Sequence, residues 1–378
     1  MQSAYIHVPF CHHICHYCDF NKVFFKQQPV DEYIEMLIKE MHNSKKISGE
    51  NPFKTIFIGG GTPTALSAKQ LDRLMEGIIT ELLPINKLVE FAVEANPGEL
   101  TKEKLSVLKN AGVNRLSIGV QSFDDELLNK IGRVHRTEDV FRTVSQAEQA
   151  GFDNISLDLM YALPGQTVEQ FQKTLETAFT LNIKHFSAYS LIIEPKTIFY
   201  NLMQKGRLSL PPQEQEAIMY ELVMEEMEKH GYKQYEISNY AVPGFESNHN
   251  ITYWNNDYYF GFGAGAHGYV DGIRTSNIGP IKKYMDKVSE VGNAYQSQHQ
   301  VSKEEAMEEE MFLGLRKIAG VPKERFYKKF SITIEQRFGV QIQQLVNKGL
   351  LVDTEQSVFL THKGKLLGNE VFQEFLIS

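Results

Sequence analysis

The chain has 378 residues, 42% of them hydrophobic, and 39 Lys and Arg against 47 Asp and Glu leave a formal net charge of −8. That composition is ample for a large core plus a smaller one. It carries no basic run for broad nucleic-acid binding, no apolar run near the roughly 20 residues of a membrane helix, and no signal-peptide pattern in MQSAYIHVPF, so a cytoplasmic protein is expected.

The first predicted strand is SAYIHV (3–8), and it runs into CHHICHYC, which holds all three cysteines: Cys11, Cys15 and Cys18. Disulfide frameworks use even numbers of cysteines and longer loops. Zinc wants four ligands, here requiring His12, His13 or His16 as the fourth. Three thiolates on one short loop suit a [4Fe-4S] cube held at three corners with one iron open. The loop alone leaves the zinc and cluster readings open.

Further strands are predicted at KTIFIGG (54–60), LVEFAVEA (88–95), NRLSIGV (114–120), NISLDLMY (154–161) and HFSAYSLI (185–192). Amphipathic helical patterns alternate with them, at 31–43 and at 67–83, where Leu71, Leu74, Ile78 and Leu82 recur at helical spacing and Ser67 with Gln70 reads as a capping box. Six β-then-α units predict an α/β fold, a partial (β/α)6 TIM-like barrel with a lateral mouth and ligands at the C-terminal strand ends. The organisation expected is a core over 1–205, a connecting helix and aromatic segment over 206–300, and a mainly helical, winged-helix-like domain over 301–378.

Each strand end carries a polar residue. The second runs into Gly59-Gly60-Gly61-Thr62, the third ends at Glu94-Ala-Asn96, the fourth at Gln121 with Arg133 beyond it, and the fifth carries Asp158. Singly these have bland readings: a helix cap for Glu94, a turn for Gln121, a lysine partner for Asp158. Together they ring one rim, as a small polar ligand requires.

The run YIHVPFC-x3-C-x2-C, GGGTPT, EANP, GVQSF and LDLMYALPGQT resembles the radical S-adenosylmethionine (SAM) superfamily, and in particular its oxygen-independent coproporphyrinogen III oxidase-like branch. The resemblance implies that Cys11, Cys15 and Cys18 hold a [4Fe-4S] cluster, that its open iron chelates SAM, and that a reduced cluster can cleave SAM to a 5′-deoxyadenosyl radical, given an electron donor. It also implies that Tyr5, Tyr17, Gly60, Gly61, Thr62, Glu94, Gln121, Arg133 and Asp158 line the SAM site. Tyr5 and His7 share one strand face, so both are expected toward the ligand.

The branch contains a decarboxylating coproporphyrinogen dehydrogenase and a group of haem chaperones. The dehydrogenase motif has another cysteine two residues after the third, where this chain has Phe20, and a long extension before the cluster, where this chain has ten residues. His249-Asn250-Ile-Thr-Tyr253-Trp254 matches the chaperones' H-N-x-x-Y-W motif, so His249, Tyr253 and Trp254 are expected to contact haem, with His267 as a rival ligand and a buried structural His249 as the bland alternative. The expectation is a haem chaperone delivering haem cargo to respiratory haem proteins. The alternatives are a coproporphyrinogen III dehydrogenase and a zinc-bearing DNA-binding regulator.

Overall fold

The computed structural model describes residues 2–48, 53–82 and 88–376; residue 83 of the helix expected over 67–83 lies outside them, as do 377 and 378 of the C-terminal segment. Six parallel strands lie side by side in chain order: β1 (Gln2–Val8), β2 (Phe53–Gly60), β3 (Glu90–Ala95), β4 (Arg115–Gln121), β5 (Ile155–Tyr161) and β6 (His185–Ser190). Helices connect them, and Ala68–Leu82 shows why: Leu71, Leu74, Ile78 and Leu82 are buried on one stripe, and the Ser67–Gln70 capping box closes in both directions at 3.0 and 3.2 Å. Burying each such leucine contributes about 1.5–3 kcal/mol.

The strands alternate strictly. Ala4, Ile6 and Val8, Ile56 and Ile58, Phe91 and Val93, Leu116 and Ile118, and Leu157 and Leu159 are buried in the main core. The intervening positions carry Tyr5, Glu94, Ser117, Asp158, Ser187 and Tyr189, which line a cavity on the concave side. Parallel strands covered on both faces usually read as continuous apolar runs. This alternation therefore reserves the concave face for polar contents.

The sheet continues beyond the six strands and reaches twelve. Tyr259–Phe262 adds a parallel strand beside β1, followed by antiparallel His267–Val270, Ile273–Asn277 and Tyr295–Gln300. Asn239–Ala241 and Lys233–Gln234 extend the β6 edge antiparallel. Segment 206–300 thus flanks the core sheet at both edges. Its strands escaped the sequence reading because several have only two to four residues, and Gly263, Gly265 and Gly272 break the pattern at positive φ.

A second core runs from Met307 to Phe375. Helices Lys303–Gly314, Lys323–Phe330 and Ile334–Asn347 precede the hairpin Leu351–Asp353/Ser357–Leu360, the order of a winged helix. Among the described residues no helix is long and apolar enough to cross a membrane.

Candidate functional site

The cysteine loop is pinned by backbone from several directions. Phe10–Cys11 pairs in parallel with Val23–Phe24, the Thr62 N–H donates to the Phe10 carbonyl at 2.9 Å, and the His16 N–H donates to the Ile131 carbonyl at 3.0 Å. All three cysteines then line one cavity of about 360 Å³. Thr62 Oγ1 donates to Cys11 Sγ at 3.6 Å. Burial pushes the Cys11 thiol up to about 11 and raises that of Cys18, with the neighbouring sulfurs adding to both. Bound iron must displace those protons, because the thiolate is the ligand.

The donor set fits a cube. Three soft sulfurs share one cavity, as a cluster held at three corners requires. His12 packs on Phe25, and His16 Nδ1 engages the Lys130 carbonyl at 3.0 Å, so neither turns to the thiols.

Tyr17, Gly60, Gly61, Thr62, Glu94, Gln121, Arg133 and Asp158 line the same cavity. The bland readings of several give way to specific placements. Glu94 Oε2 accepts the Gly60 N–H at 3.0 Å rather than capping a helix. Asp158 accepts from Ser117 Oγ at 3.1 Å rather than pairing with a lysine. Gln121 has φ 67° beside a register shift in β4, a left-handed bulge that re-aims its side chain. Arg133 donates to Asn96 Oδ1 at 2.6 Å and to the Gly119 carbonyl at 2.8 Å, and its buried Nε has no hydrogen-bond partner among the described residues. Asn96, Ser117 and Tyr189 also line the cavity. The sequence reading places Asn96 on the polar rim without assigning it to the site, and it passes over Ser117 and Tyr189, although strand alternation marks them.

Burial, reinforced by the charge of Asp158, pushes Glu94 up to about 8, and burial pushes Asp158 up to about 6. A cationic ligand such as a sulfonium or an ammonium would draw both toward their charged forms. In the ligand-free chain Glu94 binds its proton more tightly folded than unfolded. The stability this contributes is fully present below the ordinary carboxylate pKa and is lost as pH rises through about 8. The thermal midpoint of the ligand-free protein is therefore expected to fall from about pH 5 to about pH 8, and Glu94→Gln to flatten that fall across this window. An unchanged slope in the variant would contradict a buried, protonated Glu94.

A second cavity, of about 280 Å³, adjoins the first and shares Gly60, Glu94, Ser117, Asp158, Phe20 and Tyr189 with it. Tyr5 stands here and not against the cysteines. His7 lines neither cavity: its Nδ1 pairs with Tyr5 OH at 3.0 Å and its Nε2 with the Asn21 carbonyl at 2.7 Å. Its expected orientation toward the ligand is thus corrected, because Asn21 claims the ring.

His249 and Tyr253 also line the second cavity, on the helix Asn248–Trp254. Glu90 holds the start of that helix, accepting from Ser247 Oγ and from the Asn248 and His249 N–H groups at 2.9, 2.7 and 3.1 Å. His249 is 1% exposed, with Nδ1 on Thr55 Oγ1 and Nε2 on Tyr253 OH, both at 2.8 Å. Burial lowers its pKa to about 3, so the ring stays neutral. As placed, it presents no free ring nitrogen. Trp254 lines neither cavity; its ring lies under Arg316 of the C-terminal domain at 5.2 Å. His267 is exposed at the start of its strand. The structure therefore brings the cysteines together with Tyr17, Gly60, Gly61, Thr62, Glu94, Gln121, Arg133 and Asp158, and leaves Tyr5 in the adjoining cavity and Trp254 in neither.

Three comparisons bear on this geometry. Residues 5–178 match the family model described as the radical SAM superfamily, and residues 301–367 match the HemN C-terminal domain. The chain is 60% identical over 376 residues to a Bacillus subtilis protein named "Heme chaperone HemW", covering 100% of this chain and 99% of the relative. It is 48% identical to the Lactococcus lactis protein of that name, covering 100% and 97%. Coproporphyrinogen III oxidase from Escherichia coli superposes with a TM-score of 0.85 at 24% identity over 99% of this chain and 90% of that one, which establishes a shared fold.

Proposed function

We propose, from the premise that this chain belongs to the HemW family of haem chaperones within the radical SAM superfamily, that it binds haem and hands it to acceptor proteins of respiration, with a [4Fe-4S] cluster on Cys11, Cys15 and Cys18 and an exchangeable SAM beside it. The observation that carries this reading is identity over the full length to proteins named as haem chaperones. The fold cannot decide, since the oxidase shares it.

The residues present suit the two resident groups. The three thiols would hold the cluster, and the remaining iron with the wall of Gly60, Gly61, Thr62, Glu94, Gln121, Arg133 and Asp158 would receive SAM. When bound, such a pair supplies one-electron chemistry. The chain's own contribution is positional: the Gly60 N–H holds the Glu94 carboxyl at 3.0 Å, and Arg133 is fixed in the wall by its bonds to Asn96 and to the Gly119 carbonyl. Phe20, where the resemblance places a further dehydrogenase cysteine, is 62% exposed and lines the lip of both cavities, offering an apolar surface in place of a thiol.

A second reading, coproporphyrinogen decarboxylation, is tested directly. Incubating the reconstituted protein anaerobically with coproporphyrinogen III, SAM and a reductant is expected to yield no protoporphyrinogen. Formation of that product at many turnovers per chain would make the protein a dehydrogenase.

A further inference from the structure

A protein that carries haem needs a flat apolar surface and a side chain with a lone pair for the iron. The lumen around His249 has aromatic walls, but it is small and its histidines are already engaged. Its volume is about 280 Å³, below the roughly 300–1,000 Å³ of pockets that take drug-sized ligands, and haem is at the large end of those ligands. Its histidines are committed: His249 uses both ring nitrogens on Thr55 and Tyr253, and His185 uses both on Ser156 and Tyr235 at 2.7 and 2.8 Å. An iron bond to either would leave a buried hydroxyl without its partner, costing about 1–3 kcal/mol.

The lip of the cluster cavity offers what the lumen lacks. His13 is exposed, lines that cavity, and makes no hydrogen bond to another described residue. Phe20 is 62% exposed and Tyr189 is 40% exposed, and both line both cavities, so they stand where the two openings meet. Large aromatic surface left open beside a polar cavity marks a binding face. Lys22 lines the same cavity, its ammonium held on the Cys18 carbonyl, a positive charge available to a carboxylated ligand.

We propose that haem docks across the lip of the cluster cavity, with His13 supplying an iron ligand, Phe20 and Tyr189 lying against the porphyrin, and Lys22 meeting a propionate. The proposal rests on the haem-binding reading above and gives it a place. The iron gains a coordinate bond from a ring-nitrogen lone pair of His13, and no electron is transferred. Haem seated there would lie over the residues shared by the two openings.

The test uses the full chain with its cluster reconstituted, titrated anaerobically with haem and followed by difference absorption and by the spin state of the iron. His13→Ala is expected to weaken binding at least about tenfold with iron and sulfide content unchanged, and added imidazole to restore much of it. His13→Met is expected to keep binding but shift the haem absorption band, which a purely structural residue would not do. Phe20→Ser is expected to weaken binding without shifting the band. His13→Ala that titrates like the parent chain overturns the assignment, as does loss of cluster iron in that variant, which would give His13 to the cluster. His249→Gln that removes haem ligation while His13→Ala retains it overturns the assignment in favour of the lumen. A parent chain that takes up no haem would overturn the chaperone reading itself, and so separates that failure from this one.

Discussion

Replacing Cys11, Cys15 or Cys18 with serine is expected to empty the site of its cluster, with iron and acid-labile sulfide falling from about four each per chain to near zero. The loop explains why one substitution suffices. The cysteines lie within eight residues on a loop pinned by Thr62 and Ile131, and the chain has no fourth cysteine to replace a lost one. A serine hydroxyl is a hard donor with a high pKa, poorly matched to iron that takes thiolate. The fold should survive, because the thiols are one to three of many contacts around the loop and the main core lies behind β1. Circular dichroism should therefore match the parent while the metal analysis does not. A variant that keeps its full iron and sulfide complement would remove that cysteine from the ligand set.

The second large effect is expected at Gly60. Its φ is +116°, and a Cβ there would lie 2.5 Å from two atoms of the His7 ring. The ring cannot swing aside, since Tyr5 OH and the Asn21 carbonyl hold both of its nitrogens. Gly60→Ala thus combines backbone strain of about 1–3 kcal/mol with overpacking of about 1–3 kcal/mol. It also moves the N–H that holds Glu94. The expected result is a lower thermal midpoint and SAM binding weakened at least about tenfold by equilibrium dialysis. Gly98→Ala is the control: φ is +83° but a Cβ meets nothing within 4 Å, so strain acts alone and SAM binding should persist. Equal losses in the two variants would refute the His7 clash.

The strand ends and the cysteine loop were legible because their information is local. Spacing within eight residues puts three thiols on one loop, and polar residues at alternate strand positions define a concave face. What escaped the sequence depends on partners far along the chain. His249 is paired with Thr55, 194 residues away. Trp254 follows the same motif, yet turns to Arg316 and the second domain. His7 shares a strand face with Tyr5, but Asn21 takes its ring out of the cavities. Several of the edge strands from residue 233 onward have only two to four residues, too few for period-two reading, and their pairing with β1, with β6 or with one another defines them.

The most direct test of the chaperone account is haem uptake followed by handover. The reconstituted protein is loaded with haem anaerobically, freed of excess by gel filtration, and mixed with the haem-free form of a respiratory haem protein. The account predicts retention of haem through the column and its appearance in the acceptor, with the acceptor's haem-dependent activity restored faster than by free haem at the same concentration. Haem lost on the column, or held but never passed to the acceptor, would contradict it.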